Sequence, residues 1–278
     1  MSNIKIGTSG FSFPDWRGVV YPKTLSAKDT LKYYEEELGF DSVEINSTYY
    51  TLVTDKAFAG MAKKTGPDFE FVVKGYKGFT HDPFDTRLGD KKPSIKEALE
   101  KMDRFNFSIK PLKEAGKLGA VLVQFPVFFS PSKESMDYIL ECKNKFADTE
   151  FIVEFRNRAW ARENTIKYLK TNNIGFCAVD EPQLTRLMPF VNEVTSNTAY
   201  LRLHGRNQNW FNAKLSERYD YFYSDTELKS FIPEVDKMAQ AANKTYIMFN
   251  NCHAGSAIKN ALTMKKLLNI ISKTTKLF

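Results

Sequence analysis

The chain has 278 residues, of which 42% are hydrophobic and 14% aromatic, and this composition supplies a substantial core and excludes a disordered chain. We find no apolar run long enough for a signal peptide or a membrane span, and the three cysteines form no CxxC pair. We therefore expect a cytoplasmic protein of one domain, residues 1–278, without membrane contact. The formal net charge of +7 mildly favours an anionic partner. The sequence does not indicate an oligomeric state.

Eight short runs of β-branched or aromatic residues are bounded by turn residues and predict β-strands. In chain order they read IKIGTS, SVEINS, FEFVVKG, GAVLVQFP, FIVEFRN, GFCAVDEP, AYLRLHG and TYIMFNN. Stretches with helical spacing lie between them, and the last of these runs from about Ser256 through Ile271.

The alternation of strands and helices predicts parallel strands joined by crossover connections. Eight such units in a chain near ~250 residues are typical of a TIM-type (β/α)8 barrel, which is the α/β fold that we expect. The alternative is a doubly wound open sheet, but no GxGxxG motif follows the first strand. The longest connection, at about residues 82–117, predicts a helical insertion between strands 3 and 4, either a mobile lid or a rigid extra helix.

The strand ends predict a polar opening of the barrel. Successive strand residues point to opposite faces, and sites in such barrels lie at the C-terminal ends of the strands. If Leu201 and Leu203 face the helices, Arg202 and His204 face the barrel axis. The same reasoning predicts eight inward-facing strand ends: Thr8, Asn46, Lys74, Gln124, Arg156, Asp180, His204 and Asn250.

Full charges occupy the predicted inward phase one layer deeper, at Glu44, Glu154 and Arg202. Burying a charge is costly unless the charge is paired. One interpretation is a functional polar pocket at the mouth of the barrel. The alternative is a salt-bridge network that only fixes the barrel register, in which Glu154 and Arg202 pair with each other.

Six motifs in order resemble the YecE-like family, which is also catalogued as domain of unknown function 72. They are GTSGFSFPDWRG, VEINSTYY, QFP, VEFRNRAW, YLRLHGR and NNCHAGSAIKNA. The resemblance runs from Lys5 to about Leu262 and implies a TIM-type barrel, but no established reaction, substrate or cofactor. One departure is FRNRAW, where the family pattern has a histidine near Asn157.

The residue types at the predicted mouth are typical of a site for a small anion. Lys74, Arg156 and Arg202 would hold a carboxylate or phosphate, because arginine forms paired hydrogen bonds and lysine supplies a compact charge. His204 would transfer protons, and Glu44, Glu154 or Asp180 would orient or assist. His81 and His253 are interpreted as surface histidines. Further predicted binding residues at the mouth or its rim are Thr8, Asn46, Gln124, Trp160, Arg206, Asn250 and Asn251.

Three hypotheses about function remain open at this point. The first is an enzyme that acts on a small phosphorylated or carboxylated substrate by hydrolysis, elimination or isomerisation. The second is a nucleic-acid phosphodiesterase or nucleic-acid-binding protein, and the third is a non-catalytic sensor that uses the same pocket. No cofactor is predicted. The alternative is a single divalent metal on His204, Asp180 and Glu154, although the nearby arginines and Lys74 would repel a cation.

Overall fold

The protein is represented by a computed structural model that describes residues 3–210, 212–213 and 217–270. Eight parallel β-strands form its centre. They are β1 (Asn3–Thr8), β2 (Ser42–Ile45), β3 (Glu70–Lys74), β4 (Leu118–Phe125), β5 (Phe151–Phe155), β6 (Gly175–Asp180), β7 (Thr198–Leu203) and β8 (Lys244–Phe249). Each predicted run therefore forms a strand.

The strands form one sheet in the order β1-β8-β7-β6-β5-β4-β3-β2. Between β1 and β2 the pairing is reduced to a single parallel bridge from Ser9 to Glu44, so the barrel is nearly closed. The predicted TIM-type barrel is confirmed, and the open doubly wound sheet is wrong. The reason is the seam: the first and last strands of the sheet order curve far enough to meet.

Ten α-helices surround the strands in the described ranges. They are α1 (Thr30–Glu36), α2 (Asp55–Lys64), α3 (Lys77–Thr80), α4 (Ile95–Ser108), α5 (Lys110–Glu114), α6 (Lys133–Lys145), α7 (Glu163–Thr171), α8 (Asp225–Ser230), α9 (Ile232–Ala241) and α10 (Ser256–Leu267). Short 3-10 segments lie at Pro14–Trp16, Ser47–Tyr49, Asp82–Phe84, Thr86–Lys91, Arg158–Trp160 and His253–Gly255. The predicted end of the last helix at Ile271 lies outside the described residues.

The helical insertion between β3 and β4 is confirmed, and it is built into the core. Helix α4 begins with a capping box, in which the Ser94 hydroxyl accepts from the Glu97 backbone N–H and the Glu97 carboxylate accepts from the Ser94 N–H. Its apolar stripe of Ala98, Met102 and Phe105 is completely buried. The stripe packs as a barrel helix does, which favours the rigid helix over the mobile lid.

Gly7 marks the seam where the barrel closes. A Cβ atom at this position would lie 2.2 Å from the backbone oxygen of Ser42, at the start of β2. Only glycine allows β1 and β2 to approach so closely, because any side chain would collide with backbone that has no room to move. In the described part of the chain, we find no helix long and apolar enough to cross a bilayer.

Candidate functional site

Arg202 lies at the centre of the barrel and is completely buried between two carboxylates. Its Nη2 lies 2.5 Å from Glu44 Oε1 and its Nη1 lies 2.5 Å from Glu154 Oε2. The second oxygen of Glu44 accepts a hydrogen bond of 2.7 Å from the Tyr200 hydroxyl. Glu154 of β5 and Arg202 of β7 therefore form a side-chain ion pair, as one interpretation of the sequence predicts. Glu44 of β2 is the second partner of Arg202.

The charges of this centre stabilise each other. Burial raises the pKa of Glu154, but Arg202, Arg156 and His204 outweigh burial and hold that pKa well below its usual range. Burial lowers the pKa of Arg202, but the attraction of Glu154 and Glu44 outweighs burial and holds that pKa well above its usual value. Both groups are charged at neutral pH, so the centre of the barrel is ionic and paired rather than apolar.

Arg156 extends this ionic centre toward the mouth. Its Nε lies 2.8 Å from Glu154 Oε1, and its Nη1 pairs with Glu181. The guanidinium also lies over the ring of Trp210, 5.3 Å from the ring centroid. Burial raises the pKa of Glu181 to about 7, against the opposing effect of Arg156. We call the five residues Glu44, Glu154, Arg202, Arg156 and Glu181 the buried charge network.

His204 lies above Arg202 and is also completely buried. Its Nδ1 lies 2.8 Å from the side-chain nitrogen of Asn250, and its Nε2 lies 3.3 Å from Glu154 Oε1. Since the Asn250 amide donates, Nδ1 accepts and the proton resides on Nε2, facing the carboxylate. Burial and the charge of Arg156 lower the pKa of His204 well below its usual range, so the ring is neutral. Nδ1 is thus bonded to Asn250, whereas Nε2 lies beside Glu154 without a hydrogen-bond partner in the described chain.

Lys74 is different from these residues because its amine is not engaged. Among the described residues, Nζ has no hydrogen bond or ion pair, and it lies over the ring of Tyr49, 4.8 Å from the ring centroid. The side chain is half-buried at the end of β3, on the inward phase. Burial lowers its pKa to about 7, with a further contribution from Arg202.

His81 joins this part of the mouth, which corrects its interpretation as a surface histidine. Its Nε2 lies 3.4 Å from the side-chain nitrogen of Gln124, and its Nδ1 lies 2.8 Å from the Thr80 hydroxyl. Its ring centroid lies 4.9 Å from that of Tyr49. Burial, and then the charge of Lys74, lower its pKa to about 3. Strand phase cannot predict the position of His81, because this residue follows the short helix α3 and does not lie in a strand.

The predicted inward ends Asn46, Lys74, Gln124, Arg156, His204 and Asn250 share the inward phase in the structure. Some of them touch directly: the Asn46 side-chain nitrogen lies 3.5 Å from Asn250 Oδ1. The Oδ1 atom of Asn46 is buried without a hydrogen-bond partner in the described chain. His253 lies apart from this group, with Nε2 3.9 Å from Asp220 Oδ2.

Thr8 and Asp180 do not face the mouth, so their predicted orientation is wrong by one residue. Parallel pairing places Thr8 beside Phe249, and Asp180 and Phe249 each beside Leu203, all on the helix side. The Thr8 hydroxyl lies 3.1 Å from the Tyr34 hydroxyl of α1.

The inward ends of these two strands are the next residues along the chain. Ser9 Oγ lies 3.4 Å from Arg202 Nη2, and Glu181 pairs with Arg156. The rule used for the other strands predicts Ser9 as the inward end of β1, since apolar Ile4 and Ile6 mark the outward phase. For β6, the rule fails because Val179 is apolar and yet faces inward, beside Arg202.

Asp180 and Arg206 form a structural clamp on the helix side. Arg206 Nε and Nη2 each lie 2.9 Å from an Asp180 oxygen, and the Tyr223 hydroxyl donates to Asp180 over 2.6 Å. Arg206 Nη1 reaches Glu227 of α8 over 3.3 Å. The clamp anchors the segment between β7 and α8. It therefore occupies Asp180, which is predicted to assist catalysis, and Arg206, which is predicted to bind substrate.

Trp160 and Asn251 are also used for packing rather than for lining the mouth. Trp160 is buried, stacks on Phe155 with 4.3 Å between ring centroids, and donates its indole N–H to the Phe129 carbonyl over 2.8 Å. The Asn251 side chain donates to Asn260 Oδ1 of α10 over 2.8 Å. Trp160 lies in the 3-10 segment after β5 and Asn251 follows the end of β8, so strand alternation does not fix the direction of either side chain.

The structure does not bring together the three residues of the metal alternative, His204, Asp180 and Glu154. Asp180 lies on the helix side, bonded to Arg206 and Tyr223, while Glu154 and His204 lie inside the barrel. Across the described ranges we find no cluster of three or more His, Cys, Asp or Glu side chains placed to hold a metal ion.

Eight parallel strands, interleaved helices and a polar C-terminal mouth define a TIM-type (β/α)8 barrel protein. A family model described as "Protein of unknown function DUF72" matches residues 5–277. The chain belongs to this family, which confirms the resemblance to the YecE-like family that the motifs predict.

Relatives along the full length agree. The chain is 32% identical to the UPF0759 protein YunF of Bacillus subtilis (strain 168), over 96% of this chain and 95% of that protein. The crystal structure of a DUF72 family protein from Thermotoga maritima MSB8 is 42% identical, covers 96% of this chain and 99% of its own, and has a TM-score of 0.86. A second, from Enterococcus faecalis V583, is 30% identical, covers 99% and 100%, and has a TM-score of 0.81.

A more distant likeness shows the fold alone. A xylose isomerase-like TIM barrel protein from Mycobacterium smegmatis, solved in complex with magnesium, matches with 12% identity and a TM-score of 0.51 over 96% of each chain. This likeness agrees with the barrel architecture and carries no statement about chemistry.

Proposed function

We propose that this protein is an enzyme that binds a small carboxylate or phosphate at the mouth of the barrel and catalyses proton transfer there. The observation that carries the proposal is the Lys74 amine, which has no bonding partner among the described residues and ends on the inward phase with Arg156 and His204. An amine that the fold leaves without a partner is available to a ligand.

The charges around the opening favour an anion. Glu44 and Glu154 are both bonded to Arg202, and Glu154 also contacts Arg156. The charges of these carboxylates are therefore compensated by the two arginines, whereas Lys74, at the end of β3, has no ion-pair partner among the described residues. Nε and Nη1 of Arg156 contact Glu154 and Glu181, which leaves Nη2 of the guanidinium without an ion-pair partner among the described residues. A carboxylate or phosphate at the mouth would pair with the ammonium form of Lys74 and accept a hydrogen bond from Nη2 of Arg156.

Proton transfer belongs to Lys74 rather than to His204. The two ring nitrogens of His204 face Asn250 and Glu154, and the ring is completely buried. Burial lowers the pKa of Lys74 to about 7, so both of its protonation states are populated at neutral pH, as a general acid or base requires. We assign His204 a positioning role, because it connects Glu154 with Asn250.

The test measures binding first. Isothermal titration with inorganic phosphate and with small carboxylates should show saturable binding to the wild-type protein at low ionic strength. Lys74→Met should weaken it by about 10- to 100-fold, the effect of losing one charge-assisted hydrogen bond. Lys91→Met, at an exposed position in the insertion, is the matched control and should bind like the wild type.

Turnover separates an enzyme from a sensor. A panel of small phosphorylated and carboxylated compounds is incubated with the protein in D2O, and NMR follows the exchange of carbon-bound protons and the formation of products. We expect Lys74→Arg to keep anion binding and lose this exchange. Binding without turnover by the wild type would favour the sensor, and the absence of anion binding would refute the proposal.

A further inference from the structure

The half-buried Lys74 differs from the buried lysines Lys5, Lys117 and Lys265 in its hydrogen bonding. Lys5, Lys117 and Lys265 each donate to backbone carbonyl oxygens, over 2.8 Å to Asp68, 2.5 Å to Ala62 and 2.6 Å to Gly39. Those three stabilise loops and helix ends. Lys74 has no such partner in the described chain, so the fold places an amine at the mouth without a structural use for it.

The groups that face Lys74 keep this amine reactive. Burial disfavours its ammonium form, and Arg202 and Arg156 act in the same direction. Glu154 and Glu44 act in the opposite direction, but the pKa of Lys74 remains at about 7. Much of the lysine is therefore uncharged at neutral pH, and an uncharged amine is a nucleophile.

We infer that Lys74 attacks the carbonyl carbon of a small oxo acid bound at the mouth and forms an imine with it. The inference rests on the proposed function, because the carboxylate of the oxo acid is held there by the anion-binding role proposed for Arg156. It adds the substrate class, a carboxylate with an adjacent aldehyde or ketone, and a covalent step.

The step is balanced without any redox partner. The Lys74 nitrogen forms a bond to the carbonyl carbon while the C=O π pair moves to oxygen, and a proton passes from nitrogen to that oxygen. A second proton, from solvent, converts the hydroxyl into water, which leaves as the C–O bond breaks and the nitrogen lone pair completes the C=N bond. The sum is amine plus carbonyl plus one proton, giving a protonated imine and water.

The surroundings of the amine suit this step. The Tyr49 ring lies on one side of the amine, with its centroid 4.8 Å from Nζ. His81, whose pKa is lowered to about 3 by burial and then by Lys74, is neutral and adds no competing positive charge. A protonated imine would restore the cation that the proposed ligand carboxylate pairs with.

Reductive trapping tests the inference. The protein is incubated near neutral pH with glyoxylate or pyruvate and sodium cyanoborohydride, whose hydride converts the imine to a stable secondary amine. Digestion and mass spectrometry should locate one adduct on Lys74, at concentrations that leave surface lysines unmodified. Lys91→Met should be trapped like the wild type, whereas Lys74→Arg should not be trapped.

Lactate, which has a hydroxyl in place of the pyruvate carbonyl, makes the two proposals distinguishable. If lactate and pyruvate bind to the wild type, but neither pyruvate nor glyoxylate is trapped on Lys74, the imine is refuted and the proposed function stands. If none of these acids and no phosphate binds, the proposed function fails as well. Equal trapping in the wild type and Lys74→Arg would assign the adduct to other lysines and overturn the inference. Circular dichroism of Lys74→Arg serves as the control for folding of the variant.

Discussion

Arg202 and Lys74 are two cations of one barrel with opposite energetic situations. Arg202 is bonded to two carboxylates, which offset the cost of burying it. Lys74 has no bonded carboxylate in the described chain, and Arg202 and Arg156 repel its ammonium form. A residue kept in an unfavourable state by its surroundings is typical of functional sites, where binding or catalysis requires it.

We expect Lys74→Met to stabilise the protein at acidic pH. The pKa of Lys74 is about 7 in the folded protein, and an unfolded lysine titrates near ~10.4. Between these values the unfolded chain binds the proton that the folded protein releases, so stability rises with pH through this window. At about pH 6 the ammonium is present in both the folded and the unfolded state, so the full cost of burying it lowers the free energy of unfolding of the wild type.

Urea denaturation at about pH 6 and about pH 9 measures this effect. The variant should exceed the wild type in free energy of unfolding at the lower pH, and the difference should shrink at the higher pH. Lys91→Met should show a difference independent of pH. A pH-independent difference for Lys74→Met would mean that the lysine titrates normally and would contradict the electrostatic account.

At the scale of elements, the phase of each strand decides what the barrel interior contains. A shift of one residue moves a side chain to the opposite face, and this explains the corrections at Thr8 and Asp180. The closure of the sheet depends on a second local feature, the glycine at the seam between β1 and β2. Gly7 has no side chain there because the Ser42 oxygen occupies the space that a Cβ would need.

Gly7→Ala should lower the free energy of unfolding by at least about 1–3 kcal/mol, the range found for overpacked cores, because the colliding atom belongs to the backbone. Gly60→Ala is the matched control. Gly60 lies inside α2 with nothing within 4 Å of the position that an alanine methyl group would take, so alanine should raise stability by about 0.5–1 kcal/mol. Equal effects of the two substitutions, measured by urea denaturation, would show that the seam is not tightly packed.

At the scale of the whole molecule, the net charge of +7 and the charges of the barrel interior are separate features. The interior arginines are paired with glutamates, as the contacts of Arg202 and Arg156 show. The excess positive charge therefore acts mainly as a general surface field, which attracts any polyanion in a salt-dependent way.

Oligonucleotide binding by this protein should accordingly be weak, fall steeply with added salt, and be the same for the wild type and Lys74→Met. An electrophoretic mobility shift series over increasing salt measures it, and small-anion binding of the same two proteins serves as the comparison. If Lys74→Met selectively removed oligonucleotide binding, the mouth would be a nucleic-acid site, and the second functional hypothesis would replace the first.

Much of the candidate site was predictable because barrel geometry and strand alternation are local rules. Strand phase alone predicts the inward positions of Asn46, Lys74, Gln124, Arg156, His204 and Asn250. It does not predict His81 and Trp210, since they lie on connections whose path no periodicity describes. The clamp of Asp180 with Arg206 is not predictable for another reason: a carboxylate at a strand end has the same sequence pattern whether it faces the axis or the helices.

The sequence by itself determined the barrel, because the order and spacing of strands and helices leave few ways to bury their apolar faces. It also determined that the interior holds charges, since Glu44, Glu154 and Arg202 interrupt apolar strands. Only the tertiary structure decided which charges are paired and which amine is left without a partner. Pairing depends on distances between strands that are far apart in sequence, and those distances exist only after the barrel closes.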